Sequence, residues 1–148
     1  MYNLPEELKP FIDKLRLELG LANEPIVIPI TPIIGASAAS CFENVAKLIS
    51  KEGGRTKYGW ILHIEPYMIT AEFHAIWENG GILRDITPDD DQRVNARVFI
   101  IDEVKTYNGE RISNVMVNVS GNNLIDDYIA LKRAAFEFME TGDRKEIL

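Results

Sequence analysis

Cysteine and histidine are both scarce in this sequence, and each shortage excludes a class of protein. One cysteine, Cys41, among 148 residues leaves no partner for an internal disulfide and rules out a zinc site made of several cysteines. The two histidines, His63 and His74, are the only candidates for imidazole chemistry. A lone cysteine is typical of a reducing compartment, so we expect a cytoplasmic protein that needs no cofactor.

Long apolar runs and excess positive charge are also missing. No segment approaches the roughly 18 consecutive apolar residues that a membrane span requires, and the N-terminal segment lacks the basic head and apolar block of a secretory signal. The net charge is -7 and the isoelectric point is about 4.9. Because Lys and Arg supply the attraction to nucleic acids and anionic lipids, we predict no nucleic-acid partner and no membrane partner.

The composition that remains is that of a globular domain. Hydrophobic residues make up 46% of the chain and charged residues 26%, and the length suits one domain that buries a core without metal or disulfide support. We therefore predict a single α+β domain over residues 1–148. Its parts are an N-terminal helix and extended segment (1–36), a central core (37–90), and a closing β-hairpin and helix (91–148).

Apolar spacing and turn residues predict the elements of the first two parts. Pro5 and Gly20 bound a first helix, and a second helix runs from Cys41 to Gly53-Gly54. The proline-broken segment "PIVIPITPII" is typical of an edge strand or extended loop. Alternating patterns predict strands in "KYGWILHIEP", "MITAEFHAIW" and "GILRDITP", and Trp60 falls on the apolar side of the first, where it belongs to the core.

The last part of the chain predicts a hairpin and a helix. Asn108-Gly109 lies between two alternating segments and marks a turn. The closing helix has an apolar face at helical spacing, made of Leu124, Ile125, Tyr128, Leu131, Ala135 and Phe138.

A second Asn-Gly pair, Asn79-Gly80, gives the central hairpin a specific register. If these two residues form a type I′ turn, Glu78 pairs with Gly81 and His74 lies directly opposite Asp85. The opposed imidazole and carboxylate then share the more polar face of the hairpin. Such a pair on a solvent-facing sheet is common and stabilises little, so the pair alone does not indicate function.

Cys41 adds a third residue to this pair. Ser40 and Glu43 fit the capping-box pattern, which makes Cys41 the first helical residue. A thiol there feels the positive end of the helix dipole, which favours the thiolate and activates it as a nucleophile. The alternative is an inert, buried cysteine, which is the commoner role of a free thiol.

The order Cys41, "EFHAIW" with His74 and "GILRDITP" with Asp85 resembles the transglutaminase-like branch of the papain-like cysteine enzymes. It is similar also to the arylamine N-acetyltransferases. The resemblance covers about residues 37–90 and implies a papain-like core, with a Cys-bearing helix packed on an antiparallel sheet and flanking N- and C-terminal helices. The Gly-x-x-Trp context usual around the transglutaminase cysteine is absent.

The resemblance implies roles for these residues. Cys41 is the expected nucleophile, His74 the general base and then acid, and Asp85 the group that orients the imidazole. We also assign Asn44, Gly59 and Glu72 to the oxyanion site or the substrate wall. The implied reaction is acyl transfer through a thioester on a protein, peptide or small amide, whether by a peptidase, amidase, glutamine deamidase or transglutaminase-like enzyme.

Two other functions stay open at the level of sequence. A non-catalytic interaction module could keep the same scaffold, because three residues read from one chain indicate possible chemistry and not turnover. A metal site is the third hypothesis, since the chain holds every usual zinc ligand type. Its candidate ligands are Cys41, His63, Glu72, His74 and Asp85. The oligomeric state is open.

Overall fold

The computed structural model describes the backbone of residues 4–146 and the side chains of residues 4–139, so both ends of the predicted 1–148 domain lie outside the described residues. Its elements are a 3₁₀ turn (Glu6–Leu8), α1 (Lys9–Leu19), β1 (Ile26–Pro29), α2 (Cys41–Glu52), β2 (Arg55–Ile64), β3 (Met68–Asn79), β4 (Ile82–Arg84), β5 (Ala96–Ile101), β6 (Val115–Asn118) and α3 (Asn123–Glu146). The predicted α+β class is confirmed: the strands form an antiparallel sheet that accompanies the three α-helices.

The sheet curls until its two ends meet. The strand order is β1-β5-β2-β3-β4, and β6 pairs with the free part of β3 beyond β4. Asp85, which directly follows β4, forms a parallel bridge with Ile30, which directly follows β1. The Asp85 amide donates to Pro29 at 3.1 Å, and the Asp85 carbonyl accepts from Thr31 at 2.8 Å. These bonds join the first and last strands of the path into a ring.

The direction of the bridge follows from the number of strands. Each neighbouring pair along the path is antiparallel, so strand direction reverses at every step. After five strands the first and last run the same way, and their junction has to be parallel. This seam is short because β4 is only three residues long and the chain turns away after Thr31.

The two faces of the curled sheet differ in what covers them. The outer face packs against α1 and α2 through an apolar core that includes Leu15, Val45, Phe73 and Trp77. Trp60 is 2% exposed in this core, as predicted. The inner face holds a second, smaller core of Ile28, Ile61, Ile76 and Phe99. Side chains that point inward therefore end up in the narrow interior of the ring.

The predicted hairpin around Asn108-Gly109 is wrong. β5 pairs with β1 on one edge and β2 on the other, so no edge is left for the strand that follows the turn. β6 instead pairs with β3, the strand that lies on the other side of β2 from β5. The segment between β5 and β6 therefore connects two strands that are not neighbours in the sheet. Within it, the side-chain oxygen of Asn108 accepts a local hydrogen bond from the amide of Glu110.

The closing helix is present, but most of its predicted apolar face is not packed against the domain. Among the described side chains of α3, up to residue 139, Ile129 is the buried apolar one and is not part of that face, whereas Leu124, Leu131 and Phe138 are at least 70% exposed. Tyr128 is also exposed. Among the described helices, none combines the length and apolar character needed to cross a membrane.

Gly59 is the residue that lets the interior of the ring close. It lies opposite His74 on β3 and Ile101 on β5, at the centre of the sheet. A Cβ at this position would lie 2.4 Å from the ring of Phe99 and 2.2 Å from the carbonyl of Ile100. Gly59 therefore has a packing role, and its predicted place in the oxyanion or substrate site is not supported.

We expect Gly59→Ala to lower the free energy of unfolding by about 1–3 kcal/mol or more, because the clash involves backbone and a fully buried ring. Urea denaturation followed by circular dichroism measures the change. Gly109→Ala is the control, since its added Cβ meets nothing within 4 Å and only the positive φ of 93° opposes it. A Gly59→Ala loss no larger than that of the control would contradict the packing role.

Candidate active site

The structure brings the three predicted catalytic residues to one end of the ring. His74 projects inward from β3, Asp85 lies at the seam, and Cys41 is the first residue of α2. They are 3%, 1% and 7% exposed. The His74 Nε2 and Asp85 Oδ2 atoms are 2.8 Å apart, which is a hydrogen bond between two buried groups.

The predicted register of the central hairpin is wrong by two residues, and the His74–Asp85 contact survives for a different reason. The turn residues are Gly80-Gly81, both with positive φ, and Asn79 pairs with Ile82. A shift of two keeps every side chain on its predicted face, because strand side chains alternate with a period of two. Pairing stops at Arg84, so Asp85 reaches His74 from the seam rather than from directly across the hairpin.

The start of α2 also differs from the prediction. Cys41 is the first helical residue as expected, but Ser40 makes no side-chain capping bond, so the predicted capping box with Glu43 is wrong. The residue before Ser40, Ala39, has φ of 62°, a left-handed conformation that costs an alanine roughly 1–2 kcal/mol. Without a side-chain cap, the backbone amides beside the thiol keep their hydrogen-bond donors for another partner.

The imidazole of His74 has partners on two sides. Burial by itself would lower the His74 pKa, but the hydrogen bond to Asp85, the negative charge of Asp85 and the nearby thiol group of Cys41 raise the pKa to about 9. The imidazolium is therefore the stable form at neutral pH. Since Nε2 faces Asp85, Nδ1 is the nitrogen left for the thiol of Cys41.

Arg97 completes this cluster and was not predicted from the sequence. It comes from β5, with a side chain 9% exposed, and its Nη1 donates to Asp85 Oδ2, the same oxygen that contacts His74. Burial disfavours the Asp85 carboxylate, but hydrogen bonds and positive charge from His74 and Arg97 hold the Asp85 pKa below its ordinary value. Asp85 is thus kept ionised between two cations.

Arg97 also ties down the segment that follows Asp85. Its Nη2 donates to Asp89 Oδ2 at 3.1 Å, and its Nη1 lies 3.4 Å from the carbonyl of Thr87. The Thr87 amide in turn donates to Asp85 Oδ1 at 3.1 Å. No local pattern around Arg97 indicates this role, because the contacts join residues that only the folded sheet brings together.

Asn44 is structural and not the oxyanion donor that the sequence suggested. Its side-chain amide donates to the Ser37 carbonyl at 2.8 Å and to Thr87 Oγ1 at 3.1 Å, which uses both of its hydrogens. Its side-chain oxygen accepts from the Ser37 amide. Asn44 therefore fastens the loop before Cys41 and the loop after Asp85 to the same helix.

Glu72 lies on the wall of the site, paired with the other histidine. His63 Nε2 and Glu72 Oε2 are 3.3 Å apart, and the hydrogen bond from His63 lowers the Glu72 pKa despite partial burial. The metal hypothesis finds no support: among the side chains that the structure describes, residues 4–139, no group of three or more His, Cys, Asp or Glu is arranged to hold a metal ion.

A cavity of about 470 Å³ gives access to Cys41 and His74. This volume is in the range of small-molecule sites in proteins. Cys41 and His74 line it together with Arg97, Phe42 and Ile61, and Glu72, Asp89 and Asp90 add carboxylates to its wall. The thiol and the imidazole therefore face one space that a substrate can enter.

Comparison of the chain with protein-family models, curated protein sequences and solved structures gave no match. The function must therefore be argued from the geometry of this site.

We expect Asn44→Ala to lower the free energy of unfolding by about 2–4 kcal/mol, because the partners of a buried amide are left unsatisfied. Urea denaturation measures the loss. Asn114→Ala is the control, because Asn114 is exposed and its substitution should change stability by less than about 0.5 kcal/mol. A stable Asn44→Ala protein that has lost only turnover would instead restore the oxyanion role.

We expect His74 to titrate with a pKa of about 9, so that its imidazolium persists through neutral pH and is lost only as the pH rises through that value. Asp85→Asn removes the charge that favours the imidazolium and should lower the midpoint. NMR of the ring protons measures both, and a His63→Gln background leaves one histidine signal. A His74 midpoint near the ordinary 6.5 in the unaltered protein would contradict the ion pair.

Proposed function

We propose that this protein is a cysteine-nucleophile acyl-transfer enzyme that acts on an amide through a thioester. The observation that carries the proposal is one cavity lined by both a helix-start thiol and an imidazole, with a buried carboxylate oxygen 2.8 Å from Nε2 of that imidazole. A nucleophile, an adjacent base and a group that orients the base are the three parts that such chemistry needs.

The first half of the proposed reaction forms the thioester. The Cys41 thiolate adds to the amide carbonyl carbon, and the carbonyl oxygen takes the negative charge. When the carbon–nitrogen bond breaks, the His74 imidazolium gives its proton to the leaving amine. Asp85 stays ionised and holds the ring in place, so it does not take up the proton itself.

The second half returns the enzyme to its starting state. Water, or a second amine, gives a proton to the neutral His74 imidazole as it adds to the thioester carbonyl carbon. The carbon–sulfur bond then breaks and the thiolate leaves. The acid or the new amide departs, and the thiolate and imidazolium are present again. No oxidation or reduction takes place, and the only external reactant is water or an amine.

The oxyanion of each step needs hydrogen-bond donors. The first-turn amides of α2, beginning with that of Cys41, are the natural donors, since Ser40 does not cap them and the helix dipole favours negative charge there. The left-handed Ala39 directs the chain into this turn from the cavity wall. Its strain is of the kind that proteins maintain at functional sites.

The arrangement supports the transglutaminase-like branch of the papain-like enzymes as the structural class. The helix that begins with the cysteine packs on an antiparallel sheet whose successive segments supply the histidine and the aspartate. A reducing cytoplasm, as proposed from the single cysteine, would keep the thiol reduced.

The charges of the cavity favour a neutral or cationic substrate. Arg97 is committed to Asp85 and Asp89, and His63 contacts Glu72. Among the described lining residues, this leaves no cation free to receive a substrate carboxylate. A side-chain or peptide amide, with water or a primary amine as acceptor, fits this wall better than an anionic substrate.

Thiol labelling tests the proposal before any substrate is known. An ordinary thiol is only a few per cent thiolate at pH 7, so a thiolate–imidazolium pair should react with iodoacetamide at least about tenfold faster. We expect mass spectrometry to show rapid single labelling at Cys41 and a rate that falls by about that factor in His74→Ala. His63→Ala removes the other histidine from the same cavity and should keep the fast rate.

Turnover is then sought with glutamine-containing and lysine-containing peptides, by ammonia release and by new amide bonds. Cys41→Ala should abolish turnover, and His74→Ala should reduce it by about 10²–10⁴. A Cys41 that reacts with iodoacetamide only after denaturation would overturn the proposal. Fast labelling with no turnover on any amide would leave a thiol-reactive binding module as the function.

A further inference from the structure

The least expected feature of the site is the sharing of one carboxylate oxygen by two cationic groups. Asp85 Oδ2 accepts from Arg97 Nη1 and lies 2.8 Å from His74 Nε2. The two donor nitrogens are 3.3 Å apart. Two N–H donors at this separation do not bond each other when the imidazole is protonated, so they compete for the charge of the same acceptor.

Asp85 does not need Arg97 to keep its position. Its backbone is fixed on both sides by the seam, through Pro29 and Thr31. Its other carboxylate oxygen accepts from the Thr87 amide at 3.1 Å. The distinct contribution of Arg97 to Asp85 is therefore its charge.

We propose that Arg97 is a positioning residue that acts through Asp85: by sharing the carboxylate, it weakens the hold of His74 on its proton. An acid transfers its proton most effectively when its affinity for that proton is not too high at the working pH. Asp85 strengthens the hold of His74 on its proton, and Arg97, whose Nη1 lies 3.3 Å from His74 Nε2, is the cation that opposes it. The consequence for turnover rests on the proposed function, whereas the effect on His74 titration does not.

The other charged groups around His74 do not replace Arg97. Glu72, on the same strand, acts in the opposite direction as a nearby negative charge and is paired with His63 on β2. Asp89, on the loop after the seam, is paired with Arg97 itself. Among the described residues that line the cavity, Arg97 is the only arginine or lysine.

Two substitutions separate the charge of Arg97 from its geometry. Arg97→Gln removes the charge and keeps a hydrogen-bonding side chain, whereas Arg97→Lys keeps the charge and loses the planar fork. In a His63→Gln background, NMR follows the His74 ring through a pH titration. We expect the His74 midpoint to rise by about one pH unit in Arg97→Gln and to stay close to that of the unaltered protein in Arg97→Lys.

The matched control is Asp89→Asn, which removes the loop tie but leaves the contact between Arg97 and Asp85. It should leave the His74 midpoint in place. An unchanged or lowered midpoint in Arg97→Gln overturns the inference, and so does an Asp89→Asn shift as large as that of Arg97→Gln. If Arg97→Gln does not fold, the double variant Arg97→Gln/Asp89→Asn is used instead, because it also removes the Asp89 carboxylate that loses its partner. The same rise in the His74 midpoint is expected of it, and an unchanged or lowered midpoint overturns the inference.

The titration also separates this inference from the proposed function. A chain without turnover on any amide can still show the rise in the His74 midpoint, which would leave the role of Arg97 standing. If the enzyme is active but the His74 midpoint does not change in Arg97→Gln, the proposed function stands and the inference is overturned. With an active enzyme, the alkaline limb of the pH–rate profile should move up in Arg97→Gln together with the NMR midpoint.

Discussion

One residue, Asp85, connects the closure of the sheet to the construction of the site. Its backbone forms the bridge between the segments that follow β1 and β4, and its carboxylate accepts hydrogen bonds from elements far apart in sequence. Because the seam is short, few other bonds hold the two ends of the sheet together. The position of the carboxylate and the closing of the ring are therefore a single structural event.

Burial of so much charge explains why the groups occur together. Removing an ion from water costs several kcal/mol. This cost is offset only when hydrogen-bond partners and opposite charges contact the ion from several directions. Asp85 has His74, Arg97 and the Thr87 amide as partners, and Arg97 has a second carboxylate in Asp89. Removing one member leaves part of this cost without compensation, so each partner contributes to the stability of the cluster.

The sequence predicted the local features and missed those set by distant contacts. The start of α2 at Cys41, the strands and the two faces of the hairpin follow from spacing alone. The register was wrong because "ENGG" contains two overlapping turn pairs, and Gly80-Gly81 adopts positive φ at less cost than Asn79-Gly80. Arg97 and the Asn44 bonds could not be predicted, since they depend on which strand lies beside which. The expected hairpin after β5 failed for the same reason.

The parallel seam has a consequence for which residues the site depends on. Cys41 and His74 lie on elements that are close in sequence, α2 and β3, so only short loops have to close to bring these elements together. The bridge that holds the backbone of Asp85 instead joins it to Ile30, across 55 residues of chain. The contact between the His74 imidazole and the Asp85 carboxylate therefore depends on a residue that is distant in sequence and does not line the cavity. A change at Ile30 can reach the imidazole through the backbone, without touching any group of the site.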